Sequence, residues 1–182
     1  MKKAITILII IVFASCKAQE VNINTLNQGD NTGKYFKDLD NNFQPFIGTW
    51  DYVYGNTTFR VLFYKTEMKS FGSYTMDVIE GSFLIIENAD TLNENIIHNS
   101  IIFYPNSGQT STSVIWGVST DAIILNASID DNSIDFSTGI LNGKLTFEII
   151  NNSNQAQWTV TKTINIEGHE FNIPTNTILT KQ

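Results

Sequence analysis

From Gly48 onward apolar and polar residues alternate with a period of two, the signature of strands with one buried face. The first pair can be set in register. Gly55-Asn56 is a two-residue loop of the kind that favours a hairpin. It places Tyr54 opposite Thr57, Tyr52 opposite Phe59 and Trp50 opposite Val61 on one apolar face. On the other face Asp51 meets Arg60, the only arginine of the chain, in a cross-strand ion pair worth about 0.2–1 kcal/mol. A loop at Asn151 to Asn154 likewise pairs Phe147 with Trp158 and Leu145 with Val160. The outer face there carries Glu148 beside Gln157 and Thr146 beside Thr159. A loop at Asp131-Asn132 would pair Ile129 with Ile134 and Ala127 with Phe136. Further strands are expected over 74–79, 82–87, 100–104, 113–118 and, after Pro174, 175–180.

These strands follow one another as neighbours. The expected fold is all-β, an antiparallel up-and-down meander of about 8–10 strands that closes into a barrel, because closure removes exposed edges. A barrel of that size is filled by its own side chains or holds one small ligand. Ahead of it, Phe36, Leu39, Phe43 and Phe46 recur at helical spacing, which predicts a short N-terminal helix ended by Pro45. Residues 16–34 are polar and aperiodic. They read as a flexible tether spanning roughly 25 Å as a coil, with room for short β pairing.

The first fifteen residues have a different pattern. Lys2 and Lys3 precede an apolar run over 5–13 that is too short to cross a membrane and reads as a signal peptide. The expected organisation is a leader at 1–15, the tether at 16–34 and a barrel domain at 35–182. Phe13-Ala14-Ser15-Cys16 resembles the bacterial lipobox. The resemblance implies cleavage before Cys16 and lipid, palmitate included, on its thiol and new amino group. Cys16 is the only cysteine, so no disulfide forms within the chain. Two or more acyl chains at about 0.8 kcal/mol per buried methylene give stable membrane anchoring.

Hydrophobic residues make up 42% of the 182, enough for a sizeable core. The net charge is −7, and removal of Lys2 and Lys3 with the leader leaves nine basic against eighteen acidic residues. Such a body disfavours nucleic acid and anionic phospholipid as partners.

Phe46-Ile47-Gly48-Thr49-Trp50, opening the first strand, resembles the Gly-X-Trp start of lipocalin-like (calycin) barrels. The resemblance implies that Trp50 closes the barrel floor. In lipocalins a basic residue from the far end of the chain packs over that Trp; no residue is assigned to that place here. Over its length the chain is also similar to a family of uncharacterised Bacteroidota lipoproteins. The residues that carry this are Ser15 to Gln19, the Gly-Thr-Trp strand, the Gly-aromatic strand from Gly81 to Asn88, and the strand led by Pro174. That likeness implies location in the cell envelope, at the outer membrane in preference to the inner, and brings no activity.

Motifs for chemistry are sparse. His98 and His169 stand in no recognisable motif, and no nucleophile elbow is present. Asp38, Asp40 and Asn42 alternate like the start of a calcium loop. Phe43 stands where that loop needs Gly, and Thr49 where it needs Glu. Asp130, Asp131 and Asp135 cluster, with Asp131 assigned to a turn. Spacing singles out no pair among Glu67, Asp77, Glu80, Glu87 and Glu94 for sugar hydrolysis. No catalytic residue, metal ligand or cofactor is therefore expected. Asp90-Thr91-Leu92 resembles the acceptor of periplasmic O-glycosylation in Bacteroidota, which makes Thr91 a candidate modification site.

The aromatics Trp50, Tyr52, Phe59, Phe63, Phe103, Trp116, Phe136, Phe147 and Trp158 fall on expected inner faces. They form core, or some of them line a pocket. Trp50, Tyr52, Phe59, Phe147 and Trp158 are the candidate floor and pocket residues. Three readings follow. The first is a lipid-anchored, non-enzymatic module holding a small apolar or amphipathic ligand. The second is a structural or protein-interaction lipoprotein with a filled barrel. The third is a hydrolase whose site assembles only in space.

Overall fold

A computed structural model describes residues 18–104, 109–111, 113–133, 141–151, 154–163 and 170–182. Its strands are β1 (Gln19–Asn22), β2 (Lys34–Lys37), β3 (Gly48–Tyr54), β4 (Thr57–Ser70), β5 (Thr75–Glu87), β6 (Asn95–Asn99), β7 (Ile102–Tyr104), β8 (Gln109–Ser111), β9 (Ile115–Val118), β10 (Ile124–Asp131), β11 (Leu141–Ile150), β12 (Gln155–Lys162) and β13 (Asn176–Lys181). Eight of these form an antiparallel closed barrel in chain order: β3, β4, β5, then β9 to β13. The insertion β6–β8 lies outside that ring. The barrel closes where β5 meets β9, at Gly81 and Ile115, and where β13 meets β3, at Thr180–Asp51 and Lys181–Trp50. This arrangement fits a lipocalin-like fold. The floor is the end where β3 starts and β13 finishes; the rim is the end that carries the Gly55–Asn56 turn.

Two hairpins have the register that alternation predicts. In β3–β4, Trp50 faces Val61, Tyr52 faces Phe59 and Asp51 faces Arg60. In β11–β12, Leu145 faces Val160 and Phe147 faces Trp158. The hairpin expected around Asp131-Asn132 does not form as drawn. Both edges of β10 are occupied, with Ile129 between Ile115 of β9 and Gly143 of β11. Asp131 is the last residue of β10 and is fully buried. Ile134, Asp135, Phe136, His169, Cys16 and the side chain of Phe103 lie outside the described residues.

The segments 74–79 and 82–87 are one strand, β5. A Cβ at Gly81 would lie 2.8 Å from the Phe63 ring, so this glycine admits a neighbouring ring instead of turning the chain. The edge of β5 away from β4 is shared along its length. Residues 75–76 pair with β2 in parallel, 79–81 with β9, and 84–87 with β6.

Residues 35–46 are not helical. Lys34–Lys37 is extended because β1 and β5 pair with it on either side. The turns that follow are capped by Asp38, whose carboxylate accepts the N–H of Asn42 (2.8 Å) and of Phe43 (3.0 Å). Phe36, Phe43 and Phe46 are buried all the same, and Leu39 is half exposed. Tight turns brought the rings to one side without a helix. A 3-10 turn, Ile23–Thr25, is capped by the Asn22 side chain. It sits within the stretch expected as a tether, which also carries β1 and buries Ile23 in the core.

The barrel interior is packed with rings. Phe147 touches Trp50 (4.9 Å between centroids), Phe63 (5.1 Å), Phe46 and Trp158. Phe59 bridges Trp158 and Phe83. Apart from the tilted Phe59–Phe83 pair, these contacts are edge-on, a favoured geometry for aromatic pairs. Space is tight elsewhere as well. A Cβ at Gly117 would lie 2.5 Å from the Ala127 Cβ, with the Asn126 carbonyl oxygen closer still. Gly117→Ala is expected to destabilise the protein by about 3 kcal/mol, the upper end for overpacking. Denaturant titration would register this as a lower midpoint at unchanged slope.

Candidate functional site

The β13–β3 contact is the shortest in the ring, with two residue pairs against five between β12 and β13. Beyond Thr180 the two strands part. At the rim, residues 172–175 are tied to β10 and β12 instead. The Asp131 carboxylate accepts the N–H of Asn172 (2.8 Å) and Ile173 (3.3 Å). The Pro174 carbonyl accepts the Trp158 indole N–H at 2.7 Å, and that of Thr175 accepts the Val160 N–H. β13 leaves that anchored segment still bound to β12, while β3 follows β4.

An open cavity of about 380 Å³ occupies the resulting seam, lined by Tyr52 and Tyr54 on one side and residues 172–177 on the other. Tyr52 and Tyr54 are two apart on one strand and so share a face. Their rings stack at 5.4 Å and 24°. Opposite stand the side chains of Asn172, Thr175, Asn176 and Thr177, with no charged residue in the lining. Gln157 donates to the Asn176 side-chain oxygen at 2.7 Å, which fixes that amide. Val53 and Ile178, both exposed, flank the mouth from outside. The walls thus offer an aromatic platform and neutral hydrogen-bonding groups, with the tyrosine rings stacked on each other and the Asn176 amide held by Gln157.

Among the expected pocket residues, the structure brings Trp50, Phe59, Phe147 and Trp158 together as fully buried core, and only Tyr52 reaches the cavity. Trp50 does sit at the floor, where its indole N–H donates to the Phe46 carbonyl at 2.8 Å. The basic residue over it is Lys181. Its Nζ lies 5.2 Å from the ring centroid and donates to the Pro45 carbonyl at 2.8 Å. Burial lowers the Lys181 pKa. Pairing the last strand with the first would have exposed this residue, because that register sets Lys181 opposite Trp50.

Trp116 points outward and is 46% exposed, contrary to the inner face expected of it. Gly117, its neighbour, takes the inward position against Ala127. Trp116 borders a second, apolar concavity of about 400 Å³ on the outer wall, with Leu26, Met76, Val118 and Lys144.

The acidic residues are largely engaged. Arg60 binds Asp51 through two bonds (2.7 and 2.8 Å) and reaches Asp90 at 2.8 Å. Those bonds raise the Arg60 pKa and lower that of Asp90. Asp77 is wholly buried and accepts from Tyr35 Oη (2.5 Å), the Asp38 N–H (3.0 Å) and the Met68 N–H (3.3 Å), with Lys65 Nζ at 3.0 Å. Glu80 is bound by Lys69 and Thr66. Asp38 caps a turn, and Asp40 accepts from Asn22 and Asn24. Among the described residues no group of three or more His, Cys, Asp or Glu could hold a metal ion. His98 hydrogen-bonds Asn132 at the rim. Thr91 lies in an exposed loop beside Leu92, its hydroxyl donating to the Asn88 carbonyl.

No curated protein and no solved structure matches the chain. One family model does, over residues 1–182, so the chain belongs to DUF6705, a family of unknown function.

Proposed function

We propose that the protein is a lipid-anchored module of the cell envelope, tethered to the outer membrane through Cys16, that binds a small amphipathic molecule in the seam between β3 and β13. The stacked Tyr52–Tyr54 pair at an opening with uncharged polar walls carries this reading. Preformed sites with a few fixed polar groups among apolar ones suit such ligands. The ligand lies beside the barrel core and does not enter it, since the interior rings leave it no room. The reading includes no catalysis. Thr91, accessible at its loop, is the proposed glycosylation site.

Native mass spectrometry of protein from its own host tests the binding. The expected spectrum shows a bound small molecule that organic solvent releases. Tyr54→Ala should weaken that complex about tenfold, the equivalent of one aromatic contact of about 1.4 kcal/mol. An empty protein whose tyrosine emission no amphipathic probe alters would end the proposal. The same spectrum reads sugar increments on Thr91.

A second reading, a lipoprotein that engages another protein, is favoured by the filled interior together with the exposed apolar groove at Trp116.

A further inference from the structure

The outer wall of β9 presents an exposed tryptophan, Trp116, beside an apolar concavity. The concavity is lined by Leu26, Met76, Trp116 and Val118, with Asn126, Ser128 and Lys144 also in the lining. A chain of ring contacts leads into it from the N-terminal strands. Phe36 of β2 meets Tyr74 edge-on at 5.6 Å, Tyr74 stacks on Phe71 at 5.6 Å, and Phe71 approaches Trp116 at 6.4 Å. Phe71 and Tyr74 are both partly exposed. Trp, Tyr and Phe with a flanking lysine are the residues that favour the boundary between phospholipid headgroups and acyl chains.

The position of the anchor selects the occupant. Cys16 precedes the first residue of β1, Gln19, by three residues, a reach of at most about 10 Å. β1 pairs with β2, and β2 with the floor end of β5. A lipid on Cys16 therefore keeps the start of β1 within about 10 Å of the bilayer, on the side of the barrel where β2 borders this flank.

We infer that the Leu26–Trp116 flank lies on a phospholipid surface, with Trp116 inserted at the headgroup boundary and the seam and rim turned away. This rests on the lipid-anchor reading of Cys16. One acyl-chain group fixes distance, and the aromatic flank fixes orientation.

The chain has three tryptophans. Trp50 and Trp158 are fully buried, so Trp116 reports on the flank by itself. The acylated protein, purified from its host and reconstituted into phosphatidylcholine vesicles, is compared with and without bromine placed high on the lipid acyl chains. Bromolipid should remove most of the Trp116 emission, and aqueous iodide should remove little. Trp116→Phe should abolish the bromine-sensitive component while the protein still floats with the vesicles. Leu26→Lys should restore iodide quenching without releasing it. Emission that ignores bromolipid and yields to iodide in a vesicle-bound, acylated protein overturns the orientation and leaves the anchor standing. Shielding that persists in detergent as a dimer assigns the flank to a second copy and overturns it too. An intact mass without acyl groups removes the anchor reading and this inference with it.

Discussion

Phe147→Ala is expected to lower the stability of the protein by about 4 kcal/mol, within the range for truncating a fully buried aromatic. Phe147 is the hub of the interior, with Trp50, Phe63, Phe46 and Trp158 all against its ring. The two tryptophans cannot swing in to fill the space, because each is pinned elsewhere. Trp50 and Trp158 spend their indole N–H groups on Phe46 and Pro174. For a domain of this size the loss amounts to a fall in Tm of roughly 10 °C. The fluorescence of both buried indoles should change in the folded variant. An unchanged Tm would mean that the interior is a yielding cup and not a plug, and the ligand would then belong inside it.

Asp77→Asn is expected to loosen the N-terminal flank, with a loss of about 3 kcal/mol, the scale of removing one partner from a buried charged network. Asp77 collects Tyr35 from β2, the Asp38 N–H, the Met68 N–H and Lys65 around one carboxylate. An amide cannot accept from all of these. Hydrogen exchange should quicken across 19–46 more than across β11–β12. Burial pushes the Asp77 pKa up, but its hydrogen bonds from Tyr35, Asp38 and Lys65 outweigh this and hold it below the ordinary value. Glu80 is lowered in the same way by Lys69 and Thr66 against burial. A carboxylate whose folded pKa is depressed adds stability above its unfolded pKa and loses it as pH falls through the folded one. The wild type should therefore be most stable above about pH 5 and weaken below about pH 4. Asp77→Asn should flatten that slope. Equal slopes in the two proteins would show that Asp77 is not the group that titrates.

The barrel was legible in the chain wherever register was set by short-range chemistry. A short loop of fixed length and a period of two determine a hairpin, and they returned both Asp51–Arg60, across a two-residue turn, and Phe147–Trp158, across a four-residue loop. The same logic failed at Asp131-Asn132, where a polar dipeptide looks like a turn. Asp131 is instead a buried acceptor for the distant 172–173 backbone, a role no local pattern announces. The aromatic spacing of 35–46 misled for a related reason. Its first residues are held extended in β2 by β1 and by the more remote β5, and turns capped by Asp38 follow. The candidate site was legible only at Tyr52. The seam exists because two strands diverge, and divergence depends on where the rim segment is tied down. Trp116 was misplaced by a single step of alternation, since Gly117 and not the tryptophan takes the inward slot.

The ring is sewn shut by Thr180 and Lys181 against Asp51 and Trp50, at nearly opposite ends of the sequence. Contacts so far apart form late, after the loop between them has been ordered. A nascent chain that lacks β13 exposes two bare edges, on β3 and β12, together with the rings they should enclose. Such a chain stays threadable until its last strand emerges, and in that interval it depends on whatever keeps unfolded polypeptides from sticking to one another.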